Sequence, residues 1–174
     1  IDLTSFIEAD VALEGTGVLI FDSANRKIYA NISQRCEREA LEHFLEKFNA
    51  KSLEPWRLVT FTSTTESGTP IYHTNVMFSI LSSHAVVCLE SIKDEAEKAN
   101  LVEELESRDL NTFPRKVIDI SLEEVSKMCG NILCVLNNLE EPCVVMPSTA
   151  YYGFKAGNRE ELEKSYKIIH SDVS

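Results

Sequence analysis

Positive charge is scarce in this 174-residue chain. Seventeen lysines and arginines stand against 28 aspartates and glutamates, a net charge of −11, and no block of basic residues occurs. Binding a polyanion leans on clustered lysine and arginine, so nucleic acid is not an expected partner. An acidic surface instead attracts small cations, weakly. Long apolar runs are missing as well: none approaches the roughly eighteen residues of a membrane span, and no basic stretch leads into an apolar one at the N-terminus. Neither a membrane span nor a signal peptide is expected, and the expected compartment is the cytosol. The chain also lacks a Walker loop, a Gly-x-Gly-x-x-Gly turn and a Gly-x-Ser-x-Gly elbow, which removes the commonest signatures of nucleotide, dinucleotide and serine-hydrolase sites.

Cysteine is present but not in a pattern that builds anything. The five cysteines, at 36, 88, 129, 134 and 143, are odd in number and lie within or beside apolar runs. That suits reduced thiols packed as small hydrophobes, not a disulfide framework. Their spacing lacks the close pairs of a zinc site, and Glu42-His43-Phe44-Leu45-Glu46 reads as a solvated helix face. No metal and no organic cofactor is expected. A composition of 44% hydrophobic and 26% charged residues is that of an ordinary globule with a buried core.

What is there is a repeat. Leu13-Glu14-Gly15-Thr16-Gly17, Tyr72-His73-Thr74-Asn75 and Cys129-Gly130-Asn131 each place a polar or glycine-bearing kink directly ahead of an apolar strand. The kinks begin at Glu14, His73 and Gly130, 59 and 57 residues apart. After each comes an apolar run, a turn, a second apolar run, a charged helical stretch and a third apolar run. The first module predicts strands over 17–21, 27–32 and 56–61 and a helix over 37–48 behind Ser33 as cap, with Ala40, Leu41, Phe44, Leu45 and Phe48 on one face. The second predicts strands over 75–81, 85–89 and 116–120 and a helix over 94–107. The third predicts a short helix over 122–128 behind Ser121, strands over 132–136, 143–146 and 167–169, and a helix over 159–166.

Modules of this length cannot each close a core, so they pack on one another, and equivalent kinks converge at one end of the assembly. Glu14 and His73 would then meet in space. Each residue also has a plainer reading: Glu14 as a turn acid, His73 as a strand-edge histidine on backbone, and Arg35 as solvated or paired with Glu37 or Glu39. Asn75, Gly130 and Asn131 are candidate substrate contacts or simply kink-formers tolerant of left-handed backbone.

The segments Leu-Glu-Gly-Thr-Gly at 13–17, Ser-Gln-Arg at 33–35, Pro-Ile-Tyr-His-Thr-Asn-Val at 70–76, Val-Cys-Leu-Glu-Ser-Ile at 87–92 and Gly-Asn at 130–131 resemble, in order, the landmarks of the guanidino-group modifying enzymes. That superfamily includes arginine deiminases, dimethylargininases and amidinotransferases, and the likeness is nearest to amidinotransferase-like proteins of the citrulline-utilisation type. It implies an α/β propeller (pentein) of ββαβ modules, about three of five being present over roughly 10–62, 70–121 and 122–174 in a single partial domain.

By the same resemblance the reaction is hydrolysis or amidino transfer on arginine or a substituted arginine through a Cys-His-Glu mechanism. His73 matches the catalytic histidine, Glu14 its orienting carboxylate, and Arg35 a clamp on the substrate carboxylate; Asn75 is a further candidate substrate contact. Gly15 and Gly17 would permit backbone approaches that a side chain obstructs. The resemblance also implies a nucleophilic cysteine in a glycine-rich kink after the third module, which these residues do not include. The chain alone is therefore expected to be inactive, a fragment with exposed apolar flanks that self-associates or pairs with a complementary segment. A non-catalytic propeller module for binding or assembly is the alternative.

Overall fold

The computed structural model describes residues 1, 3–6, 11–15, 17–108 and 112–172. Thr16 of the first kink and the last two residues of the third module lie outside them. Three separate three-stranded sheets are formed, each with an antiparallel hairpin followed by a parallel third strand. The first holds β1 (Leu19–Asp22), β2 (Lys27–Asn31) and β3 (Arg57–Phe61), with α1 (Arg38–Asn49) crossing over between β2 and β3. The second holds β4 (Phe78–Ile80), β5 (His84–Val87) and β6 (Lys116–Asp119), with α2 (Glu95–Glu106) as its crossover. The third is preceded by α3 (Leu122–Ser126) and holds β7 (Leu133–Leu136), β8 (Pro142–Pro147) and β9 (Lys167–Ser171), with α4 (Ser148–Gly153) and α5 (Ala156–Ser165) in its crossover. This is an α/β propeller arc of ββαβ modules.

Local chemistry accounts for most of the boundaries. Asp94 caps α2 by accepting from the N–H groups of Ala96 and Glu97, and Ser121 forms a reciprocal capping box with Glu124. Ser33 does not cap α1. The helix starts at Arg38 with Glu37 at its N-cap, because Ser33 is used in a tight Ser33–Cys36 turn and donates its hydroxyl to the Tyr72 carbonyl. In the second module the expected strand over 75–81 is shortened to Phe78–Ile80, since Thr74–Val76 form a 3₁₀ turn. The short helix α4 stands where the second module has the 3₁₀ turn Leu89–Ser91 and the first has the Ser33–Cys36 turn.

Neighbouring modules pack as sheet, helix, sheet. α2 lies against both β3 and β6, and the inner strands β1, β4 and β7 are successive neighbours. Tyr29, Val59, Phe61, Phe78, Leu101, Leu105, Val144 and Leu162 belong to one continuous apolar core through all three modules. The same device sews each kink to the module beside it. Thr74 donates its hydroxyl to the Val18 carbonyl at 2.6 Å while accepting from the Asn31 N–H, and Ser79 donates to the Gly130 carbonyl at 2.5 Å. Gly130 must be glycine for closeness of approach: a Cβ there would lie 2.5 Å from the Val76 carbonyl oxygen and 2.8 Å from Met77 backbone. Among the described residues of the three kinks none has left-handed backbone. Positive φ among non-glycine described residues falls instead at Arg26, Met128 and Glu140.

The two ends of the arc are apolar and open. On the third sheet Leu133, Val145 and Ile169 are cross-strand neighbours in register, and they are 61%, 36% and 43% exposed. At the other end Leu3, Leu19, Phe21, Phe44 and Phe48 line a cavity of about 650 Å³ beside α1. No helix among the described residues is long and apolar enough to cross a membrane.

Candidate active site

The hairpin of the first module carries two of the predicted site residues to one place. The Ser33–Cys36 turn follows β2, and the Glu14 segment runs antiparallel to it: the Glu14 N–H donates to the Arg35 carbonyl at 2.9 Å, and Leu13 bridges Cys36. Glu37 fastens the same segment further back by accepting from the Ala12 N–H. Glu14 and Arg35 therefore emerge side by side. His73 arrives from the second module in extended conformation, just ahead of its 3₁₀ turn.

The Nε2–H of His73 donates to Glu14 Oε2 at 2.5 Å, joining residues 59 positions apart. The Arg35 guanidinium sits 3.2 Å from Oε1 of the same carboxylate. Its planar face also lies over the Tyr72 ring, 4.4 Å from the centroid, and Tyr72 meets the His73 ring edge to face at 4.8 Å. One carboxylate thus holds two cation-forming groups, with an aromatic ring against both. The hydrogen bond from His73 and, after it, the Arg35 charge hold the Glu14 carboxyl below the usual carboxylate range, against opposing desolvation. With Nε2 committed to Glu14, the tautomer is set and Nδ1 is the nitrogen free to exchange a proton; among the described residues no group bonds it.

Gly17 is the close approach that the sequence predicts, and Gly15 is not. A Cβ on Gly17 would lie 2.9 Å from His73 Cγ and 3.1 Å from Nδ1, whereas one on Gly15 would meet nothing. The Gly17→Ala variant is expected to push the imidazole off Glu14, because the ring cannot recede without losing a 2.5 Å hydrogen bond. The His73 side-chain signals in a ¹H–¹⁵N spectrum report this directly. Gly15→Ala should leave them in place.

Asn75 is near this group but not of it. Its backbone N–H donates to the Gly17 carbonyl at 2.9 Å, and the residue lines a cavity of about 390 Å³ among the inner strands, together with Ser79 and Asn131. Arg35 pairs with Glu14, not with Glu37 or Glu39 as its plainer reading has it. Tyr72 is the contact that sequence reasoning passes over. His43, on α1, meets the Phe6 ring edge to face at 5.2 Å.

Cys36 ends the turn that carries Arg35, but its thiol is buried. Cys36, Cys88, Cys129 and Cys143 are buried, and burial pushes Cys36 and Cys88 up to about 11 and Cys129 up to about 12. A thiol so poor in thiolate is a packing group, not a nucleophile. Among the described residues no cysteine contacts His73.

A carboxylate, an imidazole and an arginine thus converge from two modules of an α/β propeller, which is the fold of the guanidino-group modifying enzymes. Within that superfamily the chain belongs to the family described as N,N dimethylarginine dimethylhydrolase, eukaryotic, whose family model matches residues 1–174. No curated protein matches it significantly. Among solved structures, the N-terminal domain of ArgZ, a cyanobacterial arginine dihydrolase of the ornithine-ammonia cycle captured with its substrate, superposes with a TM-score of 0.67 at 17% identity, over 94% of this chain and 51% of that one. A serine-for-cysteine mutant of the Pseudomonas aeruginosa dimethylarginine hydrolase, complexed with citrulline, superposes with a TM-score of 0.52 at 17% identity, over 92% of this chain and 51% of that one. These likenesses carry the fold. The chain spans about half the length of each.

Proposed function

We propose that these residues form half of the active site of a hydrolase acting on the guanidino group of arginine or a methylated arginine. The observation that carries the reading is the 2.5 Å contact between Glu14 and His73, made by kinks of two different modules. In the complete site a cysteine thiolate from outside these residues attacks the guanidinium carbon and forms a tetrahedral adduct. His73, protonated on Nδ1, gives that proton to the departing amine as the C–N bond breaks. It then takes a proton from water as hydroxide adds to the thiouronium carbon; the C–S bond breaks to return the thiolate, and the hydroxyl proton passes to the released amine, leaving the ureido product. Glu14 orients the ring and stabilises the imidazolium while it exists.

Arg35 suits the α-carboxylate of the substrate, since its planar fork binds a carboxylate bidentately. Asn75 would contribute a neutral polar contact from the inner cavity. Methylated arginine is favoured over arginine by the family that matches, and hydrolysis over amidino transfer on the same ground. Steady-state assay of the full-length protein on arginine, N-methylated arginines and agmatine tests this. Citrulline with release of an alkylamine is the expected product pair, and absence of turnover on all three would favour a non-catalytic propeller module.

We also infer that the apolar ends of the arc are covered by a complementary segment or by another copy. Sedimentation of the 174-residue chain at micromolar concentration is expected to show concentration-dependent association, which a charge placed at Leu133, the most exposed residue of that row, abolishes at that end. A strictly monomeric chain would reject this.

A further inference from the structure

We infer that Arg35 is a positioning residue that withholds part of Glu14 from His73 until a carboxylate ligand draws it away. The inference rests on the proposed reading of Arg35 as a carboxylate clamp, and it adds a coupling between that clamp and the chemical step. In the structure the Arg35 side chain is 43% exposed, yet its guanidinium is engaged. It sits 3.2 Å from Glu14 Oε1, donates from NH1 to Oε2 at 3.4 Å and lies 4.4 Å from the Tyr72 ring centroid, while His73 donates to the same Oε2. One carboxylate carries a single negative charge, and two cations on it share that charge.

The consequence follows from Coulomb's law. A positive guanidinium on the same carboxylate opposes the uptake of a proton by His73, an effect that solvent screens in part, the Arg35, Glu14 and His73 side chains being 43%, 41% and 26% exposed. Once a ligand carboxylate binds the fork of Arg35, the guanidinium pairs with that new charge and the whole of Glu14 faces the imidazole. The ring then gains proton affinity when substrate is present, which is when a general acid for the leaving amine is needed. Among the described residues, the charged and titratable groups that face the ring are Glu14 and Tyr72, with Arg35 against both. Tyr72 acts through its π face, which steers the guanidinium without adding charge.

The test is the NMR titration of the His73 ring in the 174-residue chain. Without ligand, Arg35→Gln should raise the proton affinity of His73 by about threefold to tenfold, the range expected for removing a charge one contact away. Tyr72→Leu should move it the same way by less, and Tyr72→Phe, which keeps the π face, should leave it in place; a purely structural role for Arg35 or Tyr72 predicts no such pattern. Adding L-citrulline, a zwitterion with a neutral side chain, should raise the proton affinity in the wild-type chain but not in Arg35→Gln. An unchanged or lowered value in Arg35→Gln overturns the inference, as does a wild-type value unmoved by citrulline while the Tyr72 and Arg35 signals respond. If neither signal responds to citrulline at tens of millimolar, the carboxylate-clamp reading itself fails. Should Arg35→Gln not fold, Tyr72→Leu and the citrulline arm still decide.

Discussion

In the full-length protein, His73→Ala is expected to lower kcat/KM by about four orders of magnitude or more. Removing one member of a catalytic unit costs nearly as much as removing all of it, and in hydrolases such losses run from about 10⁴ to about 10⁶. Here the imidazole serves twice, first as acid for the leaving amine and then as base toward water, so both halves of the reaction suffer. Glu14→Gln should be milder, at about 10²-fold to 10⁴-fold, because an amide oxygen can still accept from Nε2 while no longer stabilising an imidazolium. Its loss should fall on kcat and not on KM if Glu14 never touches substrate. Arg35→Ala should divide the other way, chiefly raising KM for amino acids that carry an α-carboxylate and sparing agmatine, which has none. Measuring the three variants on arginine, a methylated arginine and agmatine gives a matrix that only this assignment fills in that pattern. Unchanged turnover in His73→Ala removes the mechanism outright.

Much of this site was legible in the linear sequence because a repeat converts spacing into geometry. Glu14 and His73 stand at equivalent kinks, and equivalent positions in modules that pack side by side must come close, whatever the intervening 58 residues do. The same argument yields the strands and helices to within a few residues, since each module repeats one alternation of apolar runs and turn chemistry. The remainder was hidden by tertiary contacts that leave no periodic trace. Ser33 has the residue type and position of a helix cap, but its hydroxyl meets the Tyr72 carbonyl from the next module. Gly15 and Gly17 are indistinguishable as letters; only the ring over Gly17 separates them. Tyr72 reads as an apolar residue before a kink, and its contact with Arg35 depends on how a side chain from another module folds back. Pairwise charge rules along a helix pointed Arg35 toward Glu37 or Glu39, whereas the bridge between Leu13 and Cys36 puts Glu14 nearer.

Far from the site, at the opposite end of β1, Asp22→Ala is expected to destabilise the chain by about 3–5 kcal/mol, the usual consequence of stripping one partner from a buried ion pair. Asp22 is 1% exposed and Arg115 5%, and the guanidinium donates from NH2 to Asp22 Oδ1 at 2.9 Å across the joint between the first and second modules. Arg115 NH1 has the carbonyls of Ser82 and Phe113, but Nε has no partner. Without Asp22 a buried cation would keep only neutral acceptors, and the side chain of Asn25, which donates to Asp22 Oδ2 at 2.6 Å, would keep only its two bonds to the Phe113 backbone. For a domain whose whole stability is about 5–15 kcal/mol, that is a large fraction. Asp22→Asn should fall between, since it keeps an acceptor and loses the charge. The double variant Asp22→Leu with Arg115→Met should recover most of the loss, because replacing both charges by apolar groups removes the uncompensated cation along with the pair. Urea midpoints at constant m-value measure all three. A single-variant loss under about 1 kcal/mol would mean that water reaches the guanidinium and that the joint rests on its apolar contacts alone.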